Sequence, residues 1–248
     1  MTTTSGGVQS IERAMRVLEV VARNEAGMGL SRIAAETGLP LPTIHRLVRT
    51  LVDLGYLRQE PSRAYALGPR LLLLTESSSA MLNSIARPHL SALVDSLGET
   101  ANLAMLDGDR AAYLAQVPSR HAMRMFTEVG RRVLLHCTGV GKALASSLPA
   151  DEVREIIDRT GMPAQTEHTM TDVDAVLRQL DGVRRQGYAL DDGEQEIGVR
   201  CVAVTVPDVP VRLALSVSGP TARMSDDVVR VAVPLLHEAA GALAADLA

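Results

Sequence analysis

The sequence predicts an α+β protein in two parts, a small helical domain with a hairpin followed by a larger domain built on an antiparallel sheet. Three helical periodicities and a short hairpin crowd into residues 1–69, and after Gly98 the pattern turns to alternating strands. Charge divides the same way. Residues 1–70 carry nine Arg against six acidic side chains, a balance of +3, while the remainder stands at −7 and the whole at −4. A local positive patch is what a polyanion meets, whatever the total.

Residues 1–7 are small and polar and read as a disordered tail. The first domain is placed at 8–69. Ser10 is an N-cap candidate for a helix whose apolar positions are Ile11, Ala14, Met15, Leu18, Val21 and Ala22. Gly27 and Gly29 break it. Ser31 is then placed to cap a short helix that stops at Thr37-Gly38, and Pro42 suits the start of a third, with Ile44, Leu47, Val48, Leu51 and Leu54 as its buried stripe. Two short helices joined by a tight turn form the helix-turn-helix pattern. On the outside of the third helix lie Thr43, His45, Arg46, Arg49 and Thr50, which in a DNA reader meet base edges and phosphates. Tyr56–Arg58 and Ala64–Leu67 alternate around a Glu60–Arg63 turn, which makes the pattern a winged one with Arg63 at the wing tip. The same module also serves protein–protein contacts, so the pattern alone does not establish DNA binding.

Residues 70–84 read as a linker helix, and a new helix is expected from Ile85 with Pro88 in its first turn. Beyond Gly98, Thr100–Leu106 and Ala111–Val117 flank an Asp107-Gly108 hairpin turn, and Met123–Thr127 has the look of a third strand. Helices are expected at 141–147, at 151–159 and from Thr171-Asp172 to Gly187. Strands return at 188–190, 202–206 and 211–217, and a last helix capped by Ser225 or Asp226 closes the second domain, 85–248.

Aromatic residues are only 2% of the chain, so its cores are aliphatic. The apolar stretches are short and broken, with no run approaching the roughly 20 residues of a membrane span. Two cysteines, Cys137 and Cys201, make no disulfide framework and fit a reducing cytoplasm. No His or Cys spacing matches a metal site.

Taken together the motifs resemble the IclR family of bacterial regulators over essentially the whole chain. The resemblance lies in Ser10–Ala14, Arg46-Leu47, Gly55-Tyr56 and Tyr65–Gly68, and more specifically in Val129–Arg132, His136–Ala143, Arg185–Tyr188, Glu194–Val199 and Ser216–Pro220. It implies a winged helix followed by a GAF-like effector domain, with homodimers or homotetramers on palindromic duplex operators. The DNA contacts are then expected from Ser31, Thr43, His45, Arg46, Arg49 and Arg63. Relatives that sense a small 2-oxo acid imply an effector pocket of the Gly139 and Val140 amides with Asp191, Cys201, Ser216 and Ser218. The effector is expected to be a 2-oxo or other small carboxylic acid, with no tightly bound cofactor, and repression is the default sign, with activation the alternative. Asp191 is the awkward member. Beside a carboxylate it must accept from a ligand hydroxyl or a water, or be protonated. Two positions depart from the family pattern: Leu41 where a polar residue is usual, and Asp208-Val209-Pro210 without the usual glycine.

An enzyme is not expected. Adjacent His136 and Cys137 point apart on extended backbone, and Gly141-Lys142-Ala143 lacks the upstream Gly and following Ser or Thr of a phosphate-binding loop. Cys201 reads as an inert pocket wall, with a redox sensor as the alternative.

Overall fold

The structure, a computed structural model, divides the chain into two units, Met1–Ser79 and Ala80–Ala248. It describes residues 7–24 and 26–247, without the side chains of 75–80 and 83. The tail expected at 1–7 therefore falls, except for Gly7, outside the described residues.

In the first unit, α1 (Gln9–Ala22) opens on Val8, whose carbonyl accepts from the N–H groups of Ile11 and Glu12. Ser10 is thus inside the helix rather than its cap. Likewise α2 (Leu30–Thr37) starts on Gly29, with Ser31 in its first turn, and ends on left-handed Gly38. Backbone carbonyls do the capping that the two serines were expected to do. Helix α3 (Leu41–Asp53) follows, and β1 (Leu57–Gln59) pairs antiparallel with β2 (Tyr65–Leu67) in the register Leu57↔Leu67. The core takes Val17, Val20 and Val21 of α1 with Ile33, Ile44, Val48, Leu51 and Leu57. The expected α1 stripe is therefore rotated: Ile11 and Met15 are 61% and 52% exposed. The helix is apolar on two faces, and α2 and α3 pack on the valine side.

Helix α4 (Arg70–Leu97) is one helix with Pro88 inside it, where two were expected. Proline forfeits one backbone hydrogen bond. Burial of Ala86, Leu90, Leu93 and Val94 on its C-terminal half outweighs that loss.

The second unit continues with β3 (Thr100–Asp107), β4 (Arg110–Val117), β5 (Arg132–Val133), α5 (Gly139–Ser146), α6 (Ala150–Thr160), α7 (Val173–Gln186), β6 (Ala189–Asp192), β7 (Val199–Thr205), β8 (Leu213–Pro220) and α8 (Asp226–Leu247). The strands form one antiparallel sheet in the order β5-β4-β3-β8-β7-β6. Gly108, at φ 58°, takes the first central position of the β3–β4 turn, as a type II′ hairpin requires. Residues 123–127 are not a strand. Their backbone is engaged instead by Thr100, whose hydroxyl donates to the Met125 carbonyl at 3.0 Å. Asp208, in the turn without the family glycine, holds a left-handed φ of 51°.

Each sheet face is buried, and the strands alternate large with small. Leu103, Val202, Val204, Leu213, Leu215 and Val217 face α4 and α8. Ala104, Ala203 and Ala214 face α5 and α7, and the small side chains let α5 lie close. Helix α8 is capped by Ser225, whose hydroxyl accepts from Val228 N–H at 3.4 Å. Contrary to the expectation of short apolar stretches, α8 is by length and composition apolar enough to cross a membrane, with a mean hydropathy of 1.4. Its stripe Val229, Ala232, Leu236, Ala240 and Leu243 is spent on the sheet. Leu236→Ala should accordingly cost about 2–5 kcal/mol in urea unfolding. An unchanged midpoint would mean that α8 does not pack there.

Candidate functional site

The outer surface of α3 presents His45, Arg46 and Arg49 to solvent, and Ser31 of α2 and Arg63 of the wing turn are also exposed. Thr43 is half-buried. Among the described residues Arg46, Arg49 and Arg63 have no ion pair, whereas Arg32 is paired with Glu36 and Arg58 with Glu60. No carboxylate within the protein neutralises these three cations among the described residues. Leu41, the departure at the start of α3, is 48% exposed and offers no hydrogen bond. Arg63 sits at φ 64°, a left-handed conformation that costs a non-glycine residue about 1 kcal/mol. Arg63→Gly relieves that strain and deletes the cation. It should hold or raise the unfolding temperature while weakening duplex binding at low salt, readable by thermal denaturation beside fluorescence anisotropy.

The second site is built where the small-residue face of the sheet turns polar. Register places Asp191 of β6 opposite Cys201 of β7, and Cys201 opposite Ser218 of β8, so the three lie side by side across the sheet. Over the middle of that row sits the N-terminus of α5. A Cβ on Gly139 would lie 2.7 Å from the Cys201 sulfur, so glycine is what admits the helix to this depth. Thr138 caps the helix: its side chain accepts from Gly141 N–H at 3.1 Å and its carbonyl from Lys142 N–H at 2.9 Å. The N–H groups of Gly139 and Val140 precede the helix's own ladder and, among the described residues, have no partner. Both residues are buried. Two buried donors at the positive end of a helix make a site for an anion.

The cavity in front of them has a volume of about 50 Å³. Gly139, Asp191, Cys201 and Ser218 line it, together with Tyr113, Met125, Phe126 and Arg131. Ser216 does not reach it. Its hydroxyl accepts from Asn102 Nδ2 at 3.4 Å, and the side chain of Val140 packs into the core.

Asp191 Oδ1 accepts from the N–H groups of Glu194 at 2.8 Å and Gln195 at 3.4 Å. Burial raises its pKa from 3.8 to about 6, against the pull of Lys142 and these N–H groups and with the push of Glu194. Burial likewise carries the Cys201 thiol up to about 11, the Cys137 thiol up to about 12, and the Tyr113 hydroxyl far above its ordinary value. All three are neutral donors near pH 7. Cys137 donates to Gln195 Oε1 at 3.2 Å rather than engaging His136, and burial lowers the His136 pKa. The pair has neither the contact nor the thiolate that nucleophilic catalysis needs.

Sequence reasoning missed Lys142, weighed only as part of a phosphate loop. It has no exposed surface, and its ammonium is 2.5 Å from Glu194 Oε1. Glu194 in turn receives the hydroxyl of Thr169 on its carbonyl at 2.6 Å. The ion pair thereby ties the helix that offers the amides to the turn that orients Asp191. Tyr113 was missed as well. It stands in a strand whose alternation carried no sign of a ligand.

A carboxyl whose folded pKa lies above its unfolded one stabilises fully below the unfolded value and loses that contribution as pH rises through the folded one. For Asp191 the window runs from about 4 to above 6. Effector-free Asp191→Asn should therefore melt above the wild type at pH 8, with the gap closing toward pH 5.

The signature of the bacterial transcriptional regulator IclR C-terminal domain matches residues 75–245, and that of the IclR helix-turn-helix domain matches 10–61. The transcriptional repressor IclR of Escherichia coli K12 is 34% identical over 230 residues, covering 90% of this chain and 84% of that protein. An IclR-type regulator from Silicibacter sp. TM1040 superposes with a TM-score of 0.69 at 30% identity, over 96% of each chain. An IclR homologue from Microbacterium hydrocarbonoxydans, solved in complex with 4-hydroxybenzoate, gives a TM-score of 0.61 at 28% identity over 96% of this chain and 98% of that one.

Proposed function

The chain belongs to the IclR family of DNA-binding bacterial transcription regulators, and we propose that it is a cytoplasmic repressor that releases its operator when a small organic acid fills the second-unit pocket. The observation that carries the effector half is the pair of buried, unanswered N–H groups of Gly139 and Val140. Backbone donors left in a protein interior demand an acceptor, and a carboxylate supplies two. Volume sets the size. A water needs about 10–15 Å³ of such space, so 50 Å³ admits an acid of only a few heavy atoms. An aromatic acid of the kind bound by the Microbacterium homologue requires Met125 and Phe126 to withdraw. The repressor sign follows the E. coli relative's name, and the reading is of a sensor rather than an enzyme.

Release works by population shift: an effector that favours one arrangement of the paired winged helices lowers affinity for the other. Pairing itself is supported by an apolar groove of about 560 Å³ in the first unit, lined by Ile11, Met15, Leu18, Leu47, Leu54 and Leu74. A second copy covering this face gives a homodimer for a palindromic operator. Met15→Glu should shift the sedimentation coefficient to that of a smaller species and weaken operator binding together.

The direct test is fluorescence anisotropy on duplex from upstream of the protein's own gene, across salt concentrations and with small carboxylates added. Log affinity should fall linearly with log salt, and Arg49→Ala should reduce that slope by about one. A carboxylate should raise the dissociation constant of wild-type protein. Tightening in its presence would assign the activator sign, and no specific binding at any salt would leave the winged helix to protein contacts.

A further inference from the structure

The first turn of α3 is apolar at the place where a DNA reader meets bases. Leu41 and Pro42 open the helix, and both residues are exposed. Proline carries no N–H group, and the Pro40 carbonyl accepts from the N–H groups of Thr43 and Ile44 at 2.9 and 3.1 Å. No side chain caps this end. The start of α3 therefore has little backbone to offer a phosphate.

Leu41 also has no role in the packing of the first unit. The other large aliphatic side chains of α3, Ile44, Leu47, Val48, Leu51 and Val52, belong to the core or pack on it. Leu41 does neither, and it lies outside the groove lined by Ile11 and Met15. Helical spacing aligns it with His45 and Arg49, at i, i+4 and i+8, in a row about 12 Å long. Both of those residues are exposed as well.

We infer that Leu41 reads a thymine in the operator, its side chain resting on the C5-methyl group in the major groove. The inference rests on the reading of α3 as the helix that enters that groove. Residues at the N-terminal end of a recognition helix face base edges. Thymine alone of the four bases presents an apolar group there, and an aliphatic side chain recognises it by contact without a hydrogen bond. Packed against any other base edge, leucine would leave a donor or acceptor unanswered. The rest of the row is polar: His45 can hydrogen-bond a base edge, and Arg49 is a cation for guanine or phosphate. Leu41 carries no charge, so what it adds to binding is sequence preference without salt dependence.

Duplexes selected from a random library by the full-length protein give a consensus. Each thymine in it is then replaced by deoxyuridine, which lacks only the C5-methyl. Fluorescence anisotropy should find at least one thymine whose replacement weakens wild-type binding about fourfold, the worth of one buried methyl. Leu41→Ala should weaken binding to the thymine duplex and erase that difference, while Leu41→Met, still long and apolar, retains it. Neither variant should change the slope of log affinity against log salt, in contrast to Arg49→Ala. Because Leu41 lies outside the core, both should keep the wild-type thermal midpoint. A deoxyuridine effect of the same size in wild type and Leu41→Ala, or no thymine whose methyl matters, would overturn the inference while leaving α3 a DNA-binding helix. A contact with deoxyribose, which is alike at every base, gives that result. Enrichment of no duplex by folded protein would overturn the DNA reading of α3 and the inference with it.

Discussion

An ammonium with no exposed surface must be answered by a charge, and in this chain Glu194 answers Lys142. Much of the second unit's organisation depends on that one contact. Lys142 lies in α5 three residues after the buried amide of Gly139, and Glu194 lies in the turn that closes around Asp191. Removing either partner would strand a charge in the interior, a penalty of several kcal/mol, so the two segments are held together firmly. The pair is not fully saturated. Among the described residues, Glu194 Oε2 and, close by, His136 Nε2 are buried without a hydrogen-bond partner. A network with unused capacity can change its hydrogen bonding when a ligand arrives.

Electrostatically the pocket is a contest between a helix terminus and a carboxylate. Two N–H groups and a nearby lysine favour an anion, while Asp191 opposes one. Its neighbours do not fully compensate for its burial, and its carboxyl therefore titrates about 6 rather than near 4. The pocket is thus less attractive to an anion than its helix terminus alone would make it.

Much of this was legible in the sequence. Glycines and the change of period placed almost every element, because a helix stop at Gly38 or Gly187 is a local matter of left-handed backbone. What failed was non-local. Pro88 reads as a helix start until the buried face around it is known, and the 123–127 stretch alternates like a strand but has its backbone engaged elsewhere. The caps at Ser10 and Ser31 failed because glycine and valine carbonyls already opened those helices. Of the six expected effector positions, Gly139, Asp191, Cys201 and Ser218 line the cavity, whereas Val140 packs its side chain into the core and Ser216 pairs with Asn102. Burial of Lys142 could not be read at all, since its partner lies 52 residues away.

The alternation along β8 has a consequence for how such a protein can change. Leu213, Leu215 and Val217 pack into the core on one side, while Ala214 faces α5 and Ser218 lines the cavity on the other. Neighbouring residues thus answer to separate demands, one to the core and the next to the cavity. Substitutions at the even positions can therefore alter the lining of the cavity while the odd positions keep the scaffold.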